Sequence, residues 1–161
     1  MARHLASVAL ALALAGSSQQ PGNLARGLRY PPLPRGWTDQ SYNLIEDSVG
    51  GTDFAVDVMR YRGHDYLWLS KKLGVDSRGR NRWELRDFMP APRYPRDQTL
   101  VIGECGDPSG TDPEILAVVK YDPDEEWMKP VYAAWRADRR NERFVPIDTK
   151  GFSCRNVSVG D

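Results

Sequence analysis

Residues 65–89, DYLWLSKKLGVDSRGRNRWELRDFM, decide the fold that this sequence predicts. Two runs within this stretch, 66–75 and 82–89, favour extended structure. Between them, residues 76–81 read DSRGRN, and Asp, Ser, Gly and Asn are the residue types that turns select. We therefore expect a long β-hairpin.

The apolar residues of this hairpin are divided between its two sides. Tyr66 and Trp68 make the second side of the first strand apolar. A strand that is apolar on both sides belongs in a sheet that is covered on both faces. On the first side we expect the following side chains to pack together: Leu67, Leu69, Trp83 and Leu85.

The composition of the 161 residues is that of one globular domain. The hydrophobic fraction is 40%, with five Trp and seven Tyr, which is enough for a core. Basic and acidic residues number 22 each, and they are interspersed, as in RDFMPAPRYPRD. Binding to nucleic acid or to an anionic membrane needs a clustered basic surface, so neither is expected as a partner.

The first residues have the form of a secretory signal peptide. Arg3 precedes an apolar run at 5–15, and Ala13-Leu14-Ala15 before Gly16 is a small-x-small cleavage site. The run is too short to cross a bilayer, which takes about 20 apolar residues. We predict a signal peptide at 1–15, no transmembrane segment after its cleavage, and a periplasmic or secreted protein.

Two further segments follow the predicted leader. Residues 16–40 are rich in Gly, Pro and polar residues without a period, so we expect a flexible tether. We expect residues 41–161 to form a single β-rich domain.

Several shorter runs within this domain also predict strands. In DFAVDVMRY the residues Phe54, Val56 and Val58 alternate with polar positions such as Asp57, which predicts a half-buried strand. The turn RGHD should join that strand to the central hairpin. Two more strands are expected at 99–105 and 114–121, and a last one at 152–156.

One helix is predicted, beginning at Asp122. An N-cap Asp is followed by Pro123 at the first helical position and by Glu125 at the third. Pro130 must end this helix after about two turns, with Trp127 and Met128 as its buried contacts. Residues 131–137 are compatible with a second helix or with a strand of a hairpin, and the polar turn DRRN that follows them slightly favours the hairpin.

The two cysteines, Cys105 and Cys154, form the only possible pair. An even number of Cys in a small exported chain predicts a disulfide, which would oppose unfolding by about 4 kcal/mol in the chain-entropy model. Two free buried thiols are the alternative. The predicted fold class is therefore α+β and β-rich: an antiparallel meander sheet with one short helix, in a single disulfide-stapled domain.

The order of several segments resembles a group of small, uncharacterised exported proteins of Gram-negative bacteria. These segments are YLWL, GRNRWEL, CG, DPEILAVVKYD, EEW, AWRAD, RFVPI and the C-terminal pattern G-x-x-C-x-N, between about residues 53 and 156. The resemblance implies residence in the periplasm or at the outer surface and one disulfide bridge. It implies no activity and no functional residue.

No metal or cofactor is predicted. A structural zinc site needs four Cys or His ligands, and only three such residues remain after the leader. Two acidic runs could be considered for calcium, but neither has the spacing of an EF-hand loop, and a charged helix start and an ordinary loop explain them better. The residues of these runs are Asp122, Asp124, Glu125 and Glu126 in one, and Asp107, Ser109, Thr111 and Asp112 in the other.

Catalytic residues are hard to find in this sequence. His64 adjoins Asp65 in a turn and has no nucleophile motif beside it, so we expect an exposed turn histidine. A pair of carboxylates could hydrolyse a glycoside such as peptidoglycan, and Glu84, Asp87 and Glu104 are the candidates for it. Charged residues on strands are more often the solvated face.

Aromatic residues give the remaining functional signal. Four residues are of the types that anchor protein interfaces, with core packing as the alternative: Tyr66, Trp68, Trp135 and Arg136. We predict that this protein is a non-enzymatic domain that binds another envelope protein. An inhibitor or an immunity-type factor is the kind of protein that this domain would be. The alternatives are an envelope hydrolase and a passive structural component of the envelope.

Overall fold

A computed structural model describes residues 21, 24–46 and 50–159, so the predicted signal peptide lies outside the described residues. Within the described part of the chain there are thirteen strands and no helix, and therefore no helix that could cross a membrane. In chain order the strands are β1 (Arg29–Tyr30), β2 (Trp37–Ile45), β3 (Phe54–Tyr61), β4 (His64–Val75), β5 (Asn81–Pro90), β6 (Gln98–Ile102), β7 (Cys105–Asp107), β8 (Gly110–Asp112), β9 (Ile115–Lys120), β10 (Trp127–Met128), β11 (Val131–Asp138), β12 (Arg143–Ile147) and β13 (Ser153–Arg155).

The strands form three antiparallel sheets. The first sheet has the order β1-β5-β4-β3-β2, the second β12-β11-β9-β6 and the third β10-β13-β7-β8. The prediction of a β-rich, antiparallel, disulfide-stapled fold is confirmed, but the predicted helix is absent from the described residues.

The predicted central hairpin is confirmed as β4 and β5. Its turn is held by Asp76, whose carboxylate accepts the backbone N–H groups of Arg78 at 2.8 Å and Arg80 at 3.0 Å. Gly79 has a φ of 75°, which glycine adopts without strain. The turn chemistry is local in sequence, which is why it was predictable.

The predicted packing of the hairpin is wrong in one respect. Between Leu69 and Ser70 on β4 the register with β5 shifts, because Arg86 is an extra residue on β5. The bulge turns Leu85 and Trp83 to the opposite side from Leu67 and Leu69, where they pack with Trp68.

The second sheet is buried on both faces. Along β9, Leu116 packs against the first sheet, whereas its neighbours Ile115 and Ala117 pack against the third. This alternation follows from the period of two in a strand. The second sheet is therefore the middle layer of three.

The predicted disulfide is confirmed in the outer core. Cys105 on β7 lies directly opposite Cys154 on β13, with the sulfurs 2.06 Å apart, and both residues are fully buried. The bridge therefore links β7 to its neighbour β13, the last strand of the described chain, within the third sheet.

Residues 16–40 were predicted to be a flexible tether, but residues 24–40 are part of the folded domain. Leu24, Tyr30 and Trp37 are buried against Trp68 and Leu85 on the outer face of the first sheet. This segment supplies the cover that a sheet with two apolar faces requires. The folded domain consequently begins before residue 41.

The helix predicted from Asp122 is replaced by a short strand. Trp127 and Met128 pair with Arg155 and Cys154 of β13, and the carbonyl of Glu126 accepts the N–H of Asn156. Pairing with the C-terminal strand satisfies the backbone groups that a helix of two turns would have used. Trp127 is exposed rather than buried. The alternative left open for residues 131–137 is resolved as strand β11, in a hairpin with β12.

Candidate functional site

Strand β2 is the free edge of the first sheet. It pairs with β3 on one side only, and its central residues are mostly exposed while Trp37 and Ile45 at its ends are buried. An edge strand presents unpaired N–H and C=O groups to other chains. Strand β6 is likewise an edge of the second sheet.

A groove runs between these two edges. One part, of about 830 Å³, is bounded by Ser41 and Asn43 of β2 and by the proline-rich segment that follows β5. A second part, of about 870 Å³, shares Asn43 and Ile102 with the first, so the two parts adjoin at these residues. We call the whole the edge groove.

The floor of the edge groove is apolar. Val58, Leu100 and Ile102 line it, and all three are only partly buried where they pack against the core between the first and second sheets. The groove is therefore the place where this core reaches the surface.

The two ends of the edge groove differ in charge. The first part contains His64, Asp65 and Arg93. The hydrogen bond from Arg60 to Asp65, at 2.7 Å, lowers the pKa of that carboxyl. The lining of the second part includes three acidic residues and one basic residue: Glu46, Glu104, Asp112 and Arg139.

A buried polar cluster lies on the opposite face of the first sheet. The hydroxyl of Tyr30 donates to Oδ2 of Asp57 at 2.5 Å, and Oγ of Ser70 lies 2.5 Å from the Tyr30 oxygen and 3.3 Å from the same Oδ2. Burial raises the pKa of Asp57 to about 6 against the opposing effect of the Tyr30 hydrogen bond, and the negative charge of Asp39 adds to the rise. Burial also raises the pKa of Tyr30.

This cluster corrects the interpretation of β3. Phe54, Val56 and Val58 share one side as predicted, but the other side is not solvated, since Asp57 is only 6% exposed. Strand β3 is therefore buried on both sides rather than half-buried. The sequence carries no local signal of this, because the cover comes from Tyr30.

The chain was compared with protein-family models, with curated proteins and with solved structures. None of them matches. The edge groove and the buried cluster are therefore interpreted from their own chemistry.

The four predicted interface residues are not brought together. Trp68 has no exposed surface, so its predicted role in binding is wrong. Tyr66 lines the edge groove and contacts Trp37 edge to face, at 5.2 Å between ring centroids. Trp135 and Arg136 lie on β11 in the second sheet, where Arg136 pairs with Asp112 at 2.8 Å.

The weak catalytic candidates on β5 have structural partners. Glu84 is paired with Arg29 at 3.0 Å and with Arg86 at 2.7 Å. Asp87 accepts hydrogen bonds from Arg26 at 2.6 Å and from the N–H of Phe144 at 2.8 Å. These two acids fasten neighbouring segments to β5, and neither lines the edge groove.

Glu104 is placed differently. It lines the acidic part of the edge groove and pairs with Arg155 at 3.0 Å. Strand β2 beside it was missed as a functional element, because the sequence WTDQSYNLI was divided between the predicted tether and the domain.

The acidic runs considered for calcium form local turns. Asp122 accepts the N–H of Asp124 at 3.2 Å, and Asp107 accepts that of Ser109 at 2.8 Å. Among the described residues, no group of three or more His, Cys, Asp and Glu could hold a metal ion. His64 is exposed as predicted, but it is the first residue of β4 and pairs with Tyr61, so the turn is the two residues Arg62 and Gly63 rather than RGHD.

Proposed function

We propose that this protein is an exported, non-enzymatic domain that binds another envelope protein by adding an extended segment of that partner to the free edge of β2. The observation that carries the proposal is the position of that edge beside a groove with an apolar floor. An inhibitor or immunity-type factor against a cell-wall hydrolase is the kind of protein that such binding would serve.

Strand addition matches the geometry of the edge groove. An added strand gains main-chain hydrogen bonds from the edge, and pockets for its alternate side chains provide specificity. The nine residues of β2 offer an edge of about 30 Å. Side chains on the groove side of the added strand would contact Val58, Leu100 and Ile102.

The charge of the groove favours a partner segment with a basic residue at one end. In the second part of the groove, Glu104 is paired with Arg155 and Asp112 with Arg136. Glu46 lines the same part and has no ion pair among the described residues. Complementary charge raises the rate of association and fixes the register of the added strand.

Export is supported by the predicted signal peptide and by the disulfide. Disulfides persist in oxidising compartments such as the periplasm, with which the bridge between Cys105 and Cys154 is compatible.

The experiment is site-specific cross-linking of the mature domain in periplasmic extract. A photo-cross-linking residue replaces exposed Ser41 in the groove, and a control carries it at Tyr132, which is exposed on β11. We expect one saturable partner to cross-link from position 41 and not from 132. Asn43→Lys, which places a charge inside the groove, should abolish that product while Tyr132→Lys leaves it. Repeated absence of a saturable partner, or equal labelling from both positions, would contradict the proposal.

The position of Glu104 favours one alternative, an envelope hydrolase. It lines the second part of the edge groove together with Glu46 and Asp112, so more than one carboxylate faces the space that a bound glycan would occupy. The test is muralytic activity of the mature domain against that of Glu104→Gln. Activity that survives the substitution would remove this alternative.

A further inference from the structure

A smaller cleft lies on the outer face of the first sheet, opposite to the edge groove. It has a volume of about 290 Å³ and is bounded by the N-terminal segment and by residues of β2, β3 and the start of β5. Its walls are largely aromatic and aliphatic. The residues that form these walls are Tyr30, Pro31, Leu33, Tyr42, Met59 and Trp83, and the amide side chain of Asn81 also lines the cleft.

Two carboxylates face this cleft without a basic partner. Asp39 comes from β2 and Asp57 from β3, and the lining contains no Arg, Lys or His. Neither carboxylate forms an ion pair within the described part of the chain. Elsewhere in the protein, acids as buried as Asp57, such as Glu84 and Asp87, each have an arginine.

The carboxylate of Asp57 can accept one more hydrogen bond. Its side chain is more than nine-tenths buried, and the hydrogen bonds from Tyr30 and Ser70 both fall on Oδ2. Oδ1 accepts no side-chain or backbone hydrogen bond from the described residues. This oxygen is not one of the fully buried polar atoms that lack a hydrogen-bond partner, so it is open to a donor from solvent or from a ligand in the cleft.

We propose that this cleft binds an organic cation, namely an alkylammonium or alkylguanidinium group, between the carboxylates of Asp39 and Asp57 and the rings of Tyr30, Tyr42 and Trp83. Carboxylates and aromatic faces both attract such a head group, and the apolar walls accept its alkyl chain. A hard metal ion is a poor fit, since calcium takes six to eight oxygen ligands and these walls are mostly carbon.

Two sources could supply this cation: a free amine, or a Lys or Arg side chain of a protein. Tyr42 lines both this cleft and the edge groove. A strand added to β2 would direct alternate side chains to the two faces of the sheet, so one of them would lie over the cleft. The second source rests on the proposed function, whereas binding of the cation itself does not.

The experiment measures binding of n-butylammonium and n-butylguanidinium by NMR of the isotope-labelled mature domain, at a pH of about 7.5, where Asp57 is ionised. We expect saturable shifts at the amides of Asp39, Tyr42 and Met59, and none with neutral n-butanol. Asp39→Asn should weaken binding about tenfold, as expected on removing one of two charge partners. Asp39 is exposed, so this variant should fold normally; Asp57→Asn should weaken binding at least as much.

The controls separate this proposal from the proposed function. Asp97→Asn, an exposed acid outside the cleft, should leave the affinity unchanged, as should Asn43→Lys in the groove. A blocked lysine peptide that binds where the free amine does not would identify a protein side chain as the source, and the reverse result would identify a small amine. The proposal is overturned if n-butylammonium, n-butylguanidinium and the lysine peptide all fail to give saturable shifts, or if both carboxylate variants bind as the unaltered chain does, whatever the result of the cross-linking.

Discussion

The hydroxyl of Tyr30 donates a hydrogen bond to Oδ2 of Asp57 at 2.5 Å and thereby joins the N-terminal segment to the middle of the first sheet. Both residues are buried, and two strands, β5 and β4, lie between Tyr30 on the edge strand β1 and Asp57 on β3. The contact determines what covers the sheet and which groups face the cation cleft.

Removal of this hydroxyl should destabilise the fold. Tyr30→Phe keeps the ring against Trp68 but leaves the buried carboxylate of Asp57 with Ser70 as its only hydrogen-bond donor among the described residues. We expect the free energy of unfolding to fall by about 2 kcal/mol, measured by urea denaturation. Tyr94→Phe, at an exposed tyrosine, is the control and should change it little. Equal stability of the Tyr30→Phe and Tyr94→Phe variants would show that the hydrogen bond makes no net contribution to the free energy of unfolding.

The raised pKa of Asp57 predicts an unusual dependence of stability on pH. Its pKa is about 6 in the folded protein and near 3.9 in the unfolded chain, so the folded state binds more protons between these values. The contribution of Asp57 to the free energy of unfolding is therefore fully present below the pKa that this residue has in the unfolded chain. It is lost as the pH rises through about 6, the pKa of Asp57 in the folded protein. Asp39 and Tyr30 are the titratable groups that face it, and Tyr30, whose pKa is raised, stays protonated throughout.

The measurement is the difference in unfolding free energy between the unaltered protein and Asp57→Asn. This difference should shift in favour of the unaltered protein by about 2 kcal/mol between pH 7.5 and pH 4.5. Acids with a lowered pKa, such as Asp65 and Asp76, contribute less to the unfolding free energy as the pH falls. This loss is the same in the unaltered protein and in the variant, so it cancels in the difference. A difference that does not vary with pH would contradict the raised pKa.

The structural role of Asp87 gives a third prediction. Asp87→Ala removes the acceptor of the Phe144 N–H and the partner of Arg26, and so loosens both β12 and the N-terminal segment. We expect a loss of about 2 kcal/mol in urea denaturation, most of it from the buried N–H group because Arg26 is largely exposed. Glu125→Ala, at an exposed acid, is the matched control. Unchanged stability of the Asp87 variant would reopen a functional rather than structural role for this acid.

The features that could be predicted from the sequence depend on residues that are close together in the chain, or on a residue that has only one possible partner. The turn at Asp76 is set by its own neighbours, and Cys105 has only Cys154 to pair with. The features that could not be predicted depend on distant partners. The helix expected at Asp122 lost to pairing with β13, about thirty residues further along the chain, and no local pattern marks the bulge at Arg86.

The same distinction applies to the candidate sites. Asp57 occupies the polar position of an alternating strand, and only the contact with Tyr30 makes that position an interior one. The edge groove depends on which strand ends each sheet, and that order is a property of the whole topology. Tyr66 was the one predicted interface residue that lines the groove.

The disulfide should be the strongest single constraint on the unfolded chain. Its cysteines are 49 residues apart, for which the chain-entropy model gives about 4 kcal/mol. Reduction, or the pair Cys105→Ala and Cys154→Ala, should lower the free energy of unfolding by that amount and free β13 from β7 first, since only two residue pairs join these strands. Urea denaturation with and without reductant measures the loss, and the double alanine variant is the control, because reductant should not change its stability further. If the bridge instead served only to hold β13 locally, reduction would increase hydrogen exchange in β13 and β10 and leave the global unfolding free energy unaltered.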